Sequence, residues 1–514
     1  MSLRKTEAAC LTDILRGKAM SIGLSKSKYT RGVQCPKMLW MERHMPEQFD
    51  ESVMNEAILQ TGSVVGDLAM EYYGDFVEIP FDPSNWDGMI ARTRGLVTAG
   101  TPSVCEATFS HDGNLCMVDI LRVEPDGVHI VEVKSSTHVN DIYYHDMAYQ
   151  TWVLMQCGLN VKSVSLMHLN NQYVRQGELD LHQLFVVEDC SDEVFCMVDE
   201  VGERVADLKS MMAQELEPGI PIGTQCKKPY ECGYRGWCWR HVPKPSVFDL
   251  KGIWMSKALD LVAVGIVSLE DAAREGVRLN PRQQVQLDCE AQGLDEIIDR
   301  GAVAEFLDGL SFPLYFLDFE TMQPAIPPFD GVKPYQQIPT QYSLHVLRSA
   351  DAELEHYEFL ADAHGDPRRS VAEHLVADIP QGVCSLAYNM GFEKGRIREL
   401  AEAFPDLAPH LLDIAEHMRD LEVPFAKGWY YARAMGGSSS IKVVLPALFP
   451  DDPELDYHAL EGVHNGSEAM NAFEAMASMS PEEEAVTREQ LLRYCELDTL
   501  AMVKIWQKLC EVVA

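Results

Sequence analysis

The 514-residue chain exceeds the size at which a single hydrophobic core stops growing, so two or three domains are expected. Its 79 acidic residues against 43 basic ones give a net charge of −36, which excludes a protein that holds nucleic acid through a broad basic surface; any such contact must be local. No apolar run approaches the ~20 residues of a membrane span, and residues 1–20 lack the apolar stretch and cleavage site of a signal peptide.

These features point to a soluble, cytoplasmic chain in which the 14 cysteines serve as thiols or metal ligands rather than disulfides. A tail over 1–24 precedes a first domain over 25–245, rich in cysteine and strand patterns. Lys26, Lys28, Arg31 and Lys37 form a basic cluster near Cys35. An amphipathic helical linker over 246–312 opens after Pro243-Lys244-Pro245, and a second domain over 313–514 begins with the apolar strand Pro313-Leu314-Tyr315-Phe316-Leu317.

Within the first domain, Val104 to Ser136 reads as a three-strand meander, with turns at Asp112-Gly113 and Glu124-Pro125-Asp126-Gly127. A two-residue turn at the first sets Glu106 opposite Asp119, and a turn centred on Pro125 and Asp126 sets Asp119 opposite Glu132. Lys134 shares the face of Glu132 by the two-residue period. Facing carboxylates destabilise a sheet unless compensated, and a hard divalent cation, Mg²⁺ or Mn²⁺, compensates them. The alternative is a solvated acidic face.

Asp119, then Glu132-Val133-Lys134, then Tyr149-Gln150 on a helical pattern, together resemble the PD-(D/E)XK nucleases. Within that family the residues look most like the RecB-like and CRISPR-associated exonucleases, over about residues 25–240. The resemblance implies a restriction-endonuclease-like α/β core in which the carboxylates hold metal, Lys134 stabilises charge or positions water, and Gln150 assists. It also implies a 4Fe-4S cluster on Cys35 and the triplet Cys226, Cys232 and Cys238. Zinc remains the alternative for four cysteines, although the five-residue spacers differ from the Cys-x2-Cys pairs of zinc ribbons. Cys105, Cys116, Cys157 and Cys384 read as core thiols. Relatives carry a metal-binding His early, whereas this chain has Gly62-Ser63-Val64-Val65-Gly66, leaving Glu106 as the substitute.

In the second domain, Leu317-Asp318-Phe319-Glu320 ends a strand with two carboxylates on one face. Helical periodicity over Leu491–Val513 puts Tyr494 and Asp498 one turn apart. Between them lies Tyr388-Asn389-Met390-Gly391-Phe392-Glu393. The order resembles the DEDDy exonucleases, over about residues 313–510, which implies a ribonuclease H-like mixed-sheet α/β domain. It further implies Asp318 and Glu320 as the first motif, Glu393 as the second, and Asp498 with Tyr494 as the third, with Asp413 a possible substitute for Glu393. Two-metal hydrolysis would follow, with Tyr494 orienting the attacking water.

Gly436-Gly437-Ser438-Ser439-Ser440-Ile441-Lys442 is either a strand-binding loop or a connector, with Lys442 a candidate phosphate contact. Trp237 and Trp239 are expected to cover the cluster rather than stack on bases. His345 and His464 show no metal-ligand spacing and read as structural. The resulting expectation is a metal-dependent nuclease acting on single-stranded or frayed nucleic acid, DNA rather than RNA, in repair, recombination or mobile-element defence. Two alternatives stand beside it: only the C-terminal domain is catalytic and the N-terminal domain clamps DNA, or the whole chain is a non-enzymatic scaffold.

Overall fold

A computed structural model describes residues 23–53 and 56–514. Of the tail expected over 1–24, only Gly23 and Leu24 fall among them, and the segment read for a signal peptide lies outside. The chain is α/β, with two mixed sheets in two units. One unit ends at His241 but also takes in Ala325–Tyr335; the other comprises Val242–Pro324 and Gln336–Ala514. Among the described residues, no helix is long and apolar enough to cross a membrane.

The first unit opens with α1 (Lys26–Gln34), whose N-cap Ser25 accepts from the Lys28 amide, and α2 (Pro36–His44), started by a proline after Cys35. There follow α3 (Glu56–Met70), β1 (Val77–Glu78), α4 (Trp86–Thr98), β2 (Ser103–His111), β3 (Asn114–Glu124), β4 (Gly127–Lys134), α5 (Asp141–Gln156), β5 (Val161–Leu169), β6 (Phe185–Asp189) and α6 (Ser191–Met212). The six strands lie in sequence order across one sheet. The meander has the expected register, with Cys105 opposite Ile120, Ala107 opposite Val118, and Ile120 opposite Val131. Asp112 and Gly113 have φ of 48° and 74°, the two left-handed positions that a tight hairpin turn needs. Helix α5 makes the crossover between the parallel strands β4 and β5.

The sheet's alternation breaks where the carboxylates sit. Ala107 and Val118 join the core under α5 and α6, while Cys105 and Ile120 join the core under α3, so both strands shift parity at Glu106 and Asp119. These two residues drop out of the β2–β3 ladder, and Glu106 takes a left-handed φ of 54°. Such a bulge re-aims side chains and stores strain, as at many functional sites.

The segment Ala325–Tyr335 straps onto this unit. Arg175 donates to the carbonyls of Pro327 and Pro328, at 3.0 and 2.9 Å, and exchanges backbone hydrogen bonds with Val332 and Gly331. Tyr335 Oη donates to the Ser135 carbonyl at 2.6 Å, and Ala325 is buried in the core beneath α3.

The second unit includes the region over 246–312. This region holds the helices Met255–Ala263, Leu269–Arg274, Pro281–Ala291 and Arg300–Asp308, and a short strand, Glu296–Ile298, that pairs with Tyr430–Ala432. Its main elements are β7 (Leu314–Met322), β8 (Ile338–Leu347), β9 (Glu355–Leu360), α7 (Arg368–Asp378), β10 (Cys384–Ala387), α8 (Gly391–Ala403), α9 (Ala408–His417), β11 (Met418–Asp420), α10 (Ile441–Leu448), α11 (Gly466–Met476) and α12 (Pro481–Val513). The sheet order is β9-β8-β7-β10-β11, antiparallel on the first side of β7 and parallel on the second.

Helix α12 starts at Pro481 rather than Leu491, because Ser480 and Glu483 close a capping box ahead of an acidic first turn. It is tied to the sheet: Gln341 Nε2 donates to the Leu491 carbonyl at 2.9 Å, and Arg488 holds the Leu360 and Ala361 carbonyls. Phe316, fully buried on β7, packs edge-on to Trp506 with centroids 6.2 Å apart. Removing that ring leaves a void under α12, so Phe316→Ala is expected to cost about 3–5 kcal/mol, measured as a lowered urea midpoint for the second unit.

Candidate active sites

In the first unit, the bulged strands, β4, α1 and α5 converge on one charged cluster. Glu132 is fully buried and accepts from Gln150 Nε2 at 2.7 Å, from Lys26 Nζ at 2.9 Å and from Lys134 Nζ. Asp119 takes the Val133 amide at 2.7 Å and lies 3.7 Å from Lys26. Lys134 also donates to Asp146 at 2.8 Å. Glu106, Asp119, Glu132, Lys134 and Gln150 thus share one neighbourhood, joined by two residues the sequence reading did not assign to it, Lys26 and Asp146.

The electrostatics show how the cluster is balanced. Burial, then Asp119, pushes Glu106 up to about 8, and burial, then Glu132, pushes Asp119 up to about 6. Burial would raise Glu132 too, but Lys134, Lys26 and the Gln150 hydrogen bond outweigh it and hold that carboxyl well below the usual range. Both ammonium groups are raised despite burial, Lys26 chiefly by Asp119 and Lys134 chiefly by Asp146. Two lysines therefore supply positive charge inside the acidic row. The acidic groupings whose ligand atoms all lie within 4.8 Å do not include this row.

Cys35, at the junction of α1 and α2, and Cys226, Cys232 and Cys238 line one pocket together with Lys37, Met38, Met41 and Tyr234. Burial raises Cys35, Cys232 and Cys238, and neighbouring cysteines add to each shift. No three of the four sulfurs come within 4.8 Å of one another. A single tetrahedral zinc ion, with Zn–S of about 2.3 Å, would bring them to about 3.8 Å. Trp237 packs against this cluster beneath the Arg240 guanidinium, and Trp239 lies under Arg235. Cys105, Cys116 and Cys384 are buried as expected of core thiols, but Cys157 is exposed, since it caps the end of α5 where the core-facing stripe has run out.

The second unit builds a different site. Asp318 and Glu320 project from β7 and meet Asp498 from α12, with ligand oxygens all within 4.8 Å. Burial, then Asp498, raises Asp318 well above the carboxylate range and lifts Glu320 to about 8. Glu393, in the first turn of α8, is pushed by burial to about 8, and its charge acts on both Asp318 and Glu320. Its Oε2 is buried without a hydrogen-bond partner. Asp413 lies elsewhere: it accepts from the Gly382 amide ahead of β10, whereas Asn389 and Glu393 follow that strand's other end.

Tyr494 and Asp498 share a face of α12, and their partners come from the first turn of α10 and from a short helical turn over Tyr457–Ala459. Lys442 Nζ donates to Tyr494 Oη at 2.8 Å, and Tyr457 Oη donates to Asp498 Oδ1 at 2.6 Å. Lys442 thus enters the site at the end of the Gly/Ser loop. Tyr457, in a short helical turn, was missed because no periodic pattern surrounds it. One ammonium, Lys442, acts on Asp318, Glu320 and Asp498 here, with Arg396 acting on Glu393, whereas two ammoniums enter the N-terminal row. This donor set of hard oxygens, with an orphaned carboxylate oxygen beside it, fits a divalent cation.

The profile of a domain of unknown function (DUF2779) matches residues 315–440, a range that holds Asp318, Glu320 and Glu393 and stops before Tyr494 and Asp498. The chain is similar to the Uncharacterized protein MG366 homolog of Mycoplasma pneumoniae (strain ATCC 29342 / M129 / Subtype 1), with 30% identity over 209 residues. That alignment spans 37% of this chain and 31% of the relative, so the chain covers about a third of the relative's length. No solved structure matches.

The raised carboxyls make a signed prediction. A Glu320 that titrates near 8 when folded, against about 4.3 when unfolded, favours folding fully below the lower value. That contribution is lost as pH rises through the higher one. Metal-free protein should therefore melt lower at pH 8.5 than at pH 6, and Mn²⁺ should raise the melting temperature more at pH 8.5. Both effects should shrink in Asp498→Asn, where Glu320 loses its main repelling neighbour; circular dichroism melts of the two proteins would measure this.

Proposed function

We propose that this chain is a divalent-metal-dependent nuclease whose C-terminal site hydrolyses phosphodiester bonds as a 3′-5′ exonuclease on single-stranded or frayed DNA. The observation that carries the reading is the convergence of Asp318, Glu320 and Asp498 beside Tyr494. When bound there, Mg²⁺ or Mn²⁺ would lower the pKa of a water and neutralise charge on the reacting phosphate.

The protein's own residues set the geometry. Asp318 and Glu320 are fixed two apart on one strand face, and Asp498 is oriented by the Tyr457 hydroxyl. Tyr494 accepts from Lys442 and its hydroxyl hydrogen-bonds Asp498, which fixes the phenol beside the carboxylate where a metal-bound water would be oriented. Lys442 supplies positive charge at the point where a phosphodiester would enter. The ribonuclease H-like and restriction-endonuclease-like readings of the two sheets belong to this proposal.

A second reading, favoured by Lys26, makes the N-terminal unit a DNA clamp rather than a second nuclease. An ammonium 2.9 Å from Glu132 and 3.7 Å from Asp119 occupies the position where a catalytic cation would be needed. The brace of that unit in this reading is a 4Fe-4S cluster on Cys35, Cys226, Cys232 and Cys238, which line one pocket.

Asp318→Asn is expected to lower Mn²⁺-dependent cleavage of 3′-labelled and 5′-labelled single strands by at least about a hundredfold. Under the clamp reading, Glu132→Gln keeps the cleavage rate and weakens strand binding; equal loss of cleavage in both variants would instead establish two nuclease sites, and full activity in Asp318→Asn would refute the C-terminal assignment. Protein purified without oxygen should contain about four irons and four sulfides per chain, falling sharply in Cys232→Ser. Zinc without iron would overturn the cluster.

A further inference from the structure

His345 was read from the sequence as structural, yet the fold gathers it with two residues that no local pattern links to it. His345 on β8, His356 on β9 and Glu496 on α12 each offer a ligand atom, all within 4.8 Å of one another. The two imidazoles are neighbours across the β8–β9 ladder, with centroids 4.5 Å apart.

Counting protons fixes which nitrogens are available. Thr499 Oγ1 donates to the Glu496 carbonyl, which can only accept, so its single proton is committed. Thr499 must then accept from His345 Nδ1 at 2.8 Å and from Ser343 Oγ at 2.7 Å. With the Ser343 proton also spent, His356 Nε2 must donate to Ser343 Oγ, at 2.9 Å. Each ring is thereby held in one tautomer, with its lone pair on the other nitrogen: Nε2 of His345, and Nδ1 of His356, which lies 3.8 Å from Glu496 Oε1. Hydroxyls that fix the tautomer and aim the free nitrogen are what metal-ligating histidines have as outer partners.

We propose that His345, His356 and Glu496 form a second, separate metal site for a borderline divalent ion of the zinc type. Two imidazole nitrogens and one carboxylate suit Zn²⁺ far better than Mg²⁺, which prefers all-oxygen surroundings. Glu358, the next residue on the same face of β9, feels the charges of His356 and Glu496 but lies outside the 4.8 Å grouping, so water would complete the set. The ion would staple α12 to β8 and β9. Glu496 lies two residues before Asp498, and Ser343 faces Asp318 across the β7–β8 ladder, so the staple would brace the carboxylate trio without belonging to it. The site rests on the imidazole geometry alone and stands whether or not the trio is catalytic.

The test is zinc titration of metal-stripped full-length protein in excess Mg²⁺, with zinc per chain counted by mass spectrometry. Wild-type protein should bind one more Zn²⁺ per chain than His356→Ala, and Glu496→Gln should weaken that site by at least about tenfold. Because the cysteine pocket can also take zinc, Cys226→Ser should retain the histidine-dependent ion. Both variant positions are partly or well exposed, so circular dichroism should show unchanged folds. Equal zinc content in wild type, His356→Ala and Glu496→Gln would overturn the proposal, as would loss of this ion in Cys226→Ser.

Discussion

Carboxylates held side by side away from water are the constraint around which both units are arranged. Such groups either keep their protons or acquire positive charge nearby, and the two sheets answer differently. The N-terminal sheet brings Lys26 from α1 and Lys134 from β4 into the row, so Glu132 stays ionised while Glu106 and Asp119 share the remaining strain. The C-terminal site sets Lys442 against Asp318, Glu320 and Asp498, and Arg396 against Glu393, yet all four carboxyls are raised. One site is thus internally neutralised, and the other retains an unmet demand for cationic charge.

Helix α12 is where this demand meets the scaffold. Its face carries Tyr494, Cys495, Asp498 and Thr499 toward β7 and β8, while Arg488, Gln341 and the Phe316–Trp506 contact fix its position along the sheet. A carboxylate delivered by a helix into a strand-borne pair is only as well placed as that helix. The bonds that Arg488 makes to the Leu360 and Ala361 carbonyls, and Gln341 to the Leu491 carbonyl, are therefore part of the site's chemistry, and the Cys495 thiol adds a contact to Asp318 itself.

The sequence was most legible where structure is local. The register of the meander could be read because two short turns of even length fix it, and Asp112-Gly113 has the backbone the hairpin requires. Asp318 with Glu320, and Tyr494 with Asp498, follow from strand and helix periods alone. The parity shift at Glu106 was not legible, since a bulge leaves no mark in an alternating pattern. Lys26 lies 106 positions from Glu132, so only the folded chain brings them together. The meeting of His345 with His356 and Glu496 was missed for the same reason. The start of α12 was placed late because its first turns are acidic and solvent-facing, which gives no apolar stripe to detect.

The strap of Ala325–Tyr335 carries a consequence for how this chain is made. Its residues complete the N-terminal unit, burying Ala325 and tying Arg175 and Ser135, yet they are encoded after the entire helical region and after β7. A chain emerging from the ribosome N-terminus first cannot close that unit until residue 335 has cleared the exit tunnel, by which time the first strand of the other sheet is already exposed and waiting for partners. The order of synthesis and the order of completion are therefore out of step, and a fragment ending at His241 would lack part of its own core.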